Sequence, residues 1–351
     1  MQISITPFTV HKRVALTISR GTHAQSTNLW VRLAADGIEG WGEATPFSVG
    51  THTQTVTQLQ QELTDLTPVL SEFHPLERQR LAPHLAALSS AARAAIDVAL
   101  HDWLGKQVGL PLWQLWGLDR QQIGPTAVTI GISAPEPAVQ RLHQWQTQLP
   151  DVRSIKIKLG SPQGMQADQA MMTALLSAIP TGTKVSIDAN GGWDLETAIT
   201  MADWLADRGI AYLEQPLPVA LDEALEKLSA RSPLPIFVDE SCFTAQDVAR
   251  LAGQVQGINI KLMKAGGLTE ARRMIHTARA CGLDVMFGCY SDSAIANTAL
   301  AHLAPLADHL DLDSHLNLTD DPFRGSKMQA GRLLPNHAPG LGLTHHAISY
   351  G

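Results

Sequence analysis

Three acidic and three basic residues stand at intervals that suggest one shared site. Asp188 in "SIDAN", Glu214 in "YLEQP" and Asp239 in "FVDES" each close a short apolar run, 26 and then 25 residues apart. Lys156 and Lys158 in "SIKIKLG" precede them and Lys261 in "NIKLMK" follows them, again at the ends of apolar runs. A single Asp in such a place commonly caps the next helix. Three at near-constant spacing differ, because adjacent parallel strands lie roughly 5 Å apart and bring such residues together. Converging carboxylates raise one another's pKa unless a cation sits among them. Oxygen donors without His or Cys favour a hard ion, Mg²⁺ first, with Mn²⁺ or Ca²⁺ behind it, and leave positions for water and substrate.

The lysines fit the same site. Lys158 and Lys261 would face each other across whatever the ion holds. An ammonium beside a divalent cation and a second ammonium loses proton affinity, so a lysine there can act as a neutral base near physiological pH. Lys156 is better placed to stabilise an enolate electrostatically than to move a proton. Alternation along "SIKIK" turns Ile155 and Ile157 one way and both lysines the other. The lysines are therefore either solvated on an edge strand or enclosed in a barrel, which has no edges.

The elements that must position these groups follow from periodicity. Apolar runs at 127–132, 154–159, 184–189, 211–215, 235–240, 258–263, 284–289 and 309–313 begin 23 to 30 residues apart, enough each time for a strand, a helix and two short loops. Eight such units predict a (β/α)8-type TIM barrel over 125–318. A doubly wound open sheet is the alternative, without a Gly-rich dinucleotide fingerprint to support it. Residues 1–124 predict an α+β capping domain. Strands come first, including a hairpin in "NLWVRLAADGIEGWGEATP", and helical patterns follow from about 53. The turn-rich segment 319–351 is expected to return to that cap and complete it.

Composition narrows the class. A net charge of −7 without a basic run argues against nucleic acid or an anionic membrane as partner. No run of about 18 apolar residues predicts a membrane span, and the start, "MQISITPFTVHKRVAL", lacks the pattern of a secretion signal. Cys242, Cys281 and Cys289 are an odd set without zinc spacing. A cytoplasmic protein with reduced thiols is expected.

At this point the chain resembles the enolase superfamily, in its muconate-lactonizing subgroup. "GWGEA" at 40–44 and "AIDVALHDWLGKQVGLPLWQLWG" at 95–117 are similar to that family's cap. "KIK", "DAN", "EQP", "DES" and "IKLMKAGGL" are similar to its barrel, in order and spacing. The resemblance implies Mg²⁺, one per subunit, on Asp188, Glu214 and Asp239. It also implies Lys158 and Lys261 as the acid/base pair, and a homo-oligomer. Within the subgroup, "DLDSH" is similar to the Asp-x-Asp with which dipeptide epimerases hold a substrate α-ammonium, here Asp311 and Asp313. Thr129 in "TAVTI" corresponds to a threonine that helps hold the substrate carboxylate.

The expected activity is thus Mg²⁺-assisted epimerisation of a dipeptide at its second residue, of the L-Ala-D/L-Glu epimerase kind. o-Succinylbenzoate synthase and N-acylamino acid racemase are alternatives on the same scaffold, and a non-catalytic metal-binding barrel is an alternative outside it. Two positions depart from the family pattern. "GCYSDS" carries Tyr290 where Met is common and Asp292 where Glu is common. "SRGTHAQS" carries Arg20 near the place of a side-chain-binding arginine. Arg20 is expected to touch substrate or to be a solvated loop residue, and Tyr290 to enlarge the pocket wall toward apolar or aromatic side chains.

Overall fold

Both faces of the strand Ser154–Lys158 are covered. Ile155 and Ile157 join the hydrophobic layer under the surrounding helices, while Lys156 and Lys158 turn into a closed ring of strands. The computed structural model describes residues 1–50 and 52–345; the end of the expected tail, 346–351, lies outside them. Its central sheet has eight parallel strands in chain order: Val128–Ile130, Ser154–Lys158, Lys184–Asp188, Leu213–Glu214, Ile236–Val238, Gly257–Lys261, Asp284–Gly288 and His309–Leu310. A parallel bridge between Thr126 and Leu310, with Ala127 N donating to Leu310 O at 2.7 Å, joins the last strand to the first. Closure removes the edge on which the lysines could have been solvated. Inside the ring, Tyr212, Phe237 and Met286 form a separate apolar floor, and His309 stacks on Tyr212 at 4.6 Å. Gly257 makes room for it, since a Cβ there would lie 2.2 Å from the Phe237 ring.

Several strands are shorter than the apolar runs predict. The last ends at Leu310 rather than at 313, because Leu312 N donates to the Thr126 hydroxyl (2.9 Å) instead of to a neighbouring strand. Asp311 and Asp313 consequently sit just beyond the ladder, where strand alternation no longer orients them. The first strand is trimmed to 128–130 and the fourth to 213–214.

The N-terminal part is an antiparallel meander of β1 (Gln2–Ile18), β2 (Gly21–Ala35) and β3 (Ile38–Ala44). β1 carries a register shift between His11 and Leu16. The helix Ser90–Gln107 packs on β3 so closely that a Cβ at Gly40 or Gly42 would lie 2.1 or 1.9 Å from the carbonyl oxygens of Ala99 and Ala95. This contact is what "GWGEA" permits. In the same helix, buried Asp102 accepts from Trp41 N (2.9 Å), Leu341 N (2.7 Å) and Lys106 Nζ (2.7 Å), joining cap, tail and helix. Asp97 accepts from Thr269 N at 3.0 Å and ties the helix to the first turn of the helix Leu268–Ala280, which follows the sixth barrel strand. The described part of the tail rests on the cap, with Phe323 5.3 Å from Trp30 and 5.2 Å from Trp41 between ring centroids. No helix among the described residues is long and apolar enough to cross a membrane.

His302 fastens three segments and carries a pH dependence. It follows the barrel helix Ala294–Ala301, accepts from Trp113 N at 3.2 Å through Nδ1, and donates to Leu341 O at 3.3 Å through Nε2. Accepting from Trp113 N requires the neutral ring, with its proton on Nε2. Burial pushes its pKa down from 6.5 to about 4. The unfolded chain therefore binds the extra proton first, and stability is lost as pH falls from 6.5 toward 4. The expected loss is about 3 kcal/mol, read as a smaller acid-side drop in urea unfolding for His302→Gln than for the native chain.

Candidate active site

The polar inward residues collect above the apolar floor, at the carboxyl ends of the strands. Lys158, Asp188 and Glu214 are direct register partners on the second, third and fourth strands. Asp239 follows the fifth strand, and Lys261 ends the sixth. All three carboxylates are fully buried. Lys158 Nζ lies 2.5 Å from Asp188 Oδ2, and Lys261 Nζ lies 2.7 Å from Asp239 Oδ2. Lys156 Nζ lies among three carboxylates, 2.6 Å from Glu214 Oε2, 2.7 Å from Asp311 Oδ2 and 3.4 Å from Asp188 Oδ2. The sequence-predicted residues therefore come together, with Lys156 at the centre.

The charges respond to this packing. Burial pushes Asp188 upward, but Lys158 and Lys156 outweigh it and hold the carboxyl down at about 2. Glu214 goes the other way, raised to about 7 by burial and by neighbouring Asp188. Burial works against the Lys261 ammonium, yet Asp239 outweighs it and holds the pKa well above the ordinary lysine range. A neutral Lys261, as the sequence suggests, thus requires a cation to offset the charge of Asp239.

The donor set suits a hard divalent ion. Glu214 Oε2 and both Asp239 oxygens are buried and accept no well-directed hydrogen bond, although ammonium nitrogens lie 2.6–2.7 Å away. Among the described residues, no three acidic, imidazole or thiol groups close on one point in this arrangement. The carboxylates are turned onto lysines instead, so a cation on Asp188, Glu214 and Asp239 would replace part of those ammonium contacts.

A cavity of about 340 Å³ opens beside this cluster and is lined by both Lys158 and Lys261. At one side lie Asp311 and Asp313: Thr129 N donates to Asp313 at 2.7 Å, and the Thr129 hydroxyl to Asp311 at 3.2 Å. Burial and Asp311 push Asp313 up to about 7. Another part of the wall is apolar. Tyr290 stacks on Phe47 at 4.8 Å, and Lys261 Nζ sits 4.4 Å from the Tyr290 ring centroid. Arg20 is at the rim, held by Glu240 Oε1 (2.9 Å) and the Asn190 carbonyl (2.8 Å).

Other polar groups of the site were not singled out from the sequence. Lys264, buried one helical turn past Lys261, lies 2.6 Å from Asp239 Oδ1. Asn190 adopts φ 46° and folds back so that its N–H donates to Asp188 Oδ1 at 2.8 Å. Asn259 donates to Glu214 at 2.7 Å. Their signals were present in "DAN" and "NIKLMK". Glu43 of "GWGEA" accepts from Ser293 N at 2.9 Å and caps the helix after the seventh strand. Burial and adjacent Asp292 raise it to about 8.

A closed parallel barrel whose strand ends carry three carboxylates flanked by lysines, under a strand-and-helix cap, defines an enolase-type protein. Residues 2–117 match the mandelate racemase/muconate lactonizing enzyme N-terminal domain, and residues 138–347 match the enolase C-terminal domain-like family. The chain belongs to this mandelate racemase/muconate lactonizing branch of the enolase superfamily. It is 41% identical to a hydrophobic dipeptide epimerase of Roseobacter litoralis, over 94% of this chain and 95% of that one. It is 42% identical to another from a Flavobacteria bacterium, over 97% of each. It is also similar to the crystal structure of a dipeptide epimerase from Enterococcus faecalis complexed with Mg and the dipeptide L-Leu-L-Tyr. That match has a TM-score of 0.90 at 30% identity, covering 98% of this chain and 99% of the other.

Proposed function

We propose that this chain is a dipeptide epimerase that inverts the α-carbon of a dipeptide's second residue by a two-base 1,1-proton transfer. The observation that carries this reading is the single cavity lined by Lys158, Lys261, Asp311 and Asp313. Two bases beside a zwitterion-sized space, with acidic groups at one end, suit a substrate that has a carboxylate and a free amine. Asp188, Glu214 and Asp239 would hold Mg²⁺, one per subunit, which when bound supplies positive charge to the substrate carboxylate and acidifies the neighbouring α-proton. Lys156 adds a buried positive charge that favours the enediolate. One of Lys158 and Lys261 takes the α-proton, and the other returns a proton to the opposite face. Asp311 and Asp313 receive the α-ammonium, oriented by Thr129. Tyr290, beside Lys261, and Phe47 stacked on it give the second residue an apolar wall, so an apolar side chain is favoured there. Arg20, held by Glu240 and Asn190, borders the substrate at the rim. The fuller reading is a cytoplasmic homo-oligomer, which three unpaired cysteines among the described residues suit.

The test is solvent deuterium incorporation into L-Ala-L-Leu with Mg²⁺, followed by NMR. The native enzyme should exchange the leucine α-proton and yield both epimers. The Asp311→Asn/Asp313→Asn double variant should lose about a hundredfold in kcat/KM on the dipeptide. Undiminished dipeptide exchange in that variant, or exchange confined to N-acylamino acids, would sink the assignment.

A further inference from the structure

Two cations of the cavity have no ion pair with a carboxylate among the described residues. Lys12 reaches in from β1 and donates to Ser291 Oγ at 2.7 Å. Arg141, on the helix Pro135–Gln148, is 8% exposed, and its guanidinium carbon lies 4.1 Å from the Trp145 ring centroid. It donates to Asn317 Oδ1 at 2.9 Å and Gln144 Oε1 at 3.3 Å, both neutral acceptors. Desolvating a charge against neutral partners is unfavourable unless something opposite arrives.

The carboxylates nearby are already engaged. Asp311 is paired with Lys156, and Asp313 accepts from Thr129 N. Asp292, the other carboxyl whose charge Lys12 feels, accepts from Tyr290 N at 3.1 Å and is buried beside Glu43. Asp313 is the acidic group whose charge reaches both Lys12 and Arg141. With Lys156 already on Asp311, a substrate ammonium docking on the aspartates would join Lys12 and Arg141 as a further cation near Asp313. The amine end is then over-supplied with positive charge.

We infer that Lys12 and Arg141 form a subsite for a carboxylate on the side chain of the dipeptide's first residue, so that Asp-first or Glu-first dipeptides are favoured; this rests on the dipeptide reading above. An acidic side chain there restores balance and gains charge-assisted hydrogen bonds, with Arg141 offering a planar fork and Lys12 a mobile point charge. The first residue would be acidic and the second apolar.

The experiment compares deuterium exchange of L-Glu-L-Leu, L-Ala-L-Leu and L-Lys-L-Leu with the Mg²⁺-loaded enzyme. In kcat/KM, the Glu-first peptide should exceed the Ala-first one by roughly tenfold or more, and the Lys-first one should fall below both. Lys12→Met should bring the Glu-to-Ala ratio toward one, Lys12→Arg should keep it, and Lys12→Glu should turn preference toward L-Lys-L-Leu. Ratios taken within each variant cancel a general loss of activity. Equal rates on the Glu-first and Ala-first peptides in the native enzyme overturn the subsite, whether or not the variants fold. An unchanged ratio in Lys12→Met overturns the part given to Lys12. Exchange of N-succinyl-L-leucine with none of any dipeptide overturns the dipeptide reading itself, a result distinct from the others.

Discussion

In deuterium oxide, Lys158→Ala is expected to stop α-proton exchange from one stereoisomer of the dipeptide and Lys261→Ala from the other. Each should lose about 10³-fold or more in epimerisation, the upper range for removing a general acid or base. The asymmetry follows from position. The two amines line one cavity but are tied to different carboxylates, Lys158 to Asp188 and Lys261 to Asp239. In the two-base proposal each addresses one face of the reacting carbon. Neither deletion strands a buried charge, because Asp188 keeps Lys156 at 3.4 Å and Asp239 keeps Lys264 at 2.6 Å. Loss of activity should accordingly come without loss of fold, which circular dichroism would verify. Full epimerisation by either variant would end the two-base assignment.

Chelation should be at least as damaging. Dialysis against EDTA is expected to remove exchange of every dipeptide by more than about 10³-fold, with recovery on adding Mg²⁺, since without the ion the α-proton of a carboxylate is too weakly acidic for a lysine. Asp239→Asn should reproduce the loss and add a second effect. Lys261 and Lys264 both face that carboxylate, and neutralising it leaves two buried ammoniums with weaker partners. A stability decrease of about 3–5 kcal/mol is expected in urea unfolding. Exchange that survives EDTA undiminished would remove the divalent ion from the mechanism.

The residues that end barrel strands were readable from sequence because two local rules, apolar runs and regular spacing, specify them. Asp188, Glu214, Asp239 and the lysines all belong to that group. Lys12 and Arg141 do not. They enter the cavity from a cap strand and from the flank of a helix, and only tertiary packing brings them beside Asp313. Lys264 sits three residues past Lys261, yet its direction depends on the short helical turn Leu262–Ala265. The end of the last strand was misplaced for a similar reason, since a side-chain hydroxyl from Thr126, nearly two hundred residues away, takes the N–H that would have continued it. The charge state of Lys261 was also hidden, because it depends on how closely Asp239 approaches.

The layer of Tyr212, Phe237 and Met286 makes the barrel a blind well rather than a conduit. In the two-base proposal, water that trades hydrogens with Lys158 and Lys261 would then come from the side of the cavity and not through the floor. Isotope washout from those amines would depend on solvent access from that side, and a tritium label taken from one epimer could be handed back before it escapes.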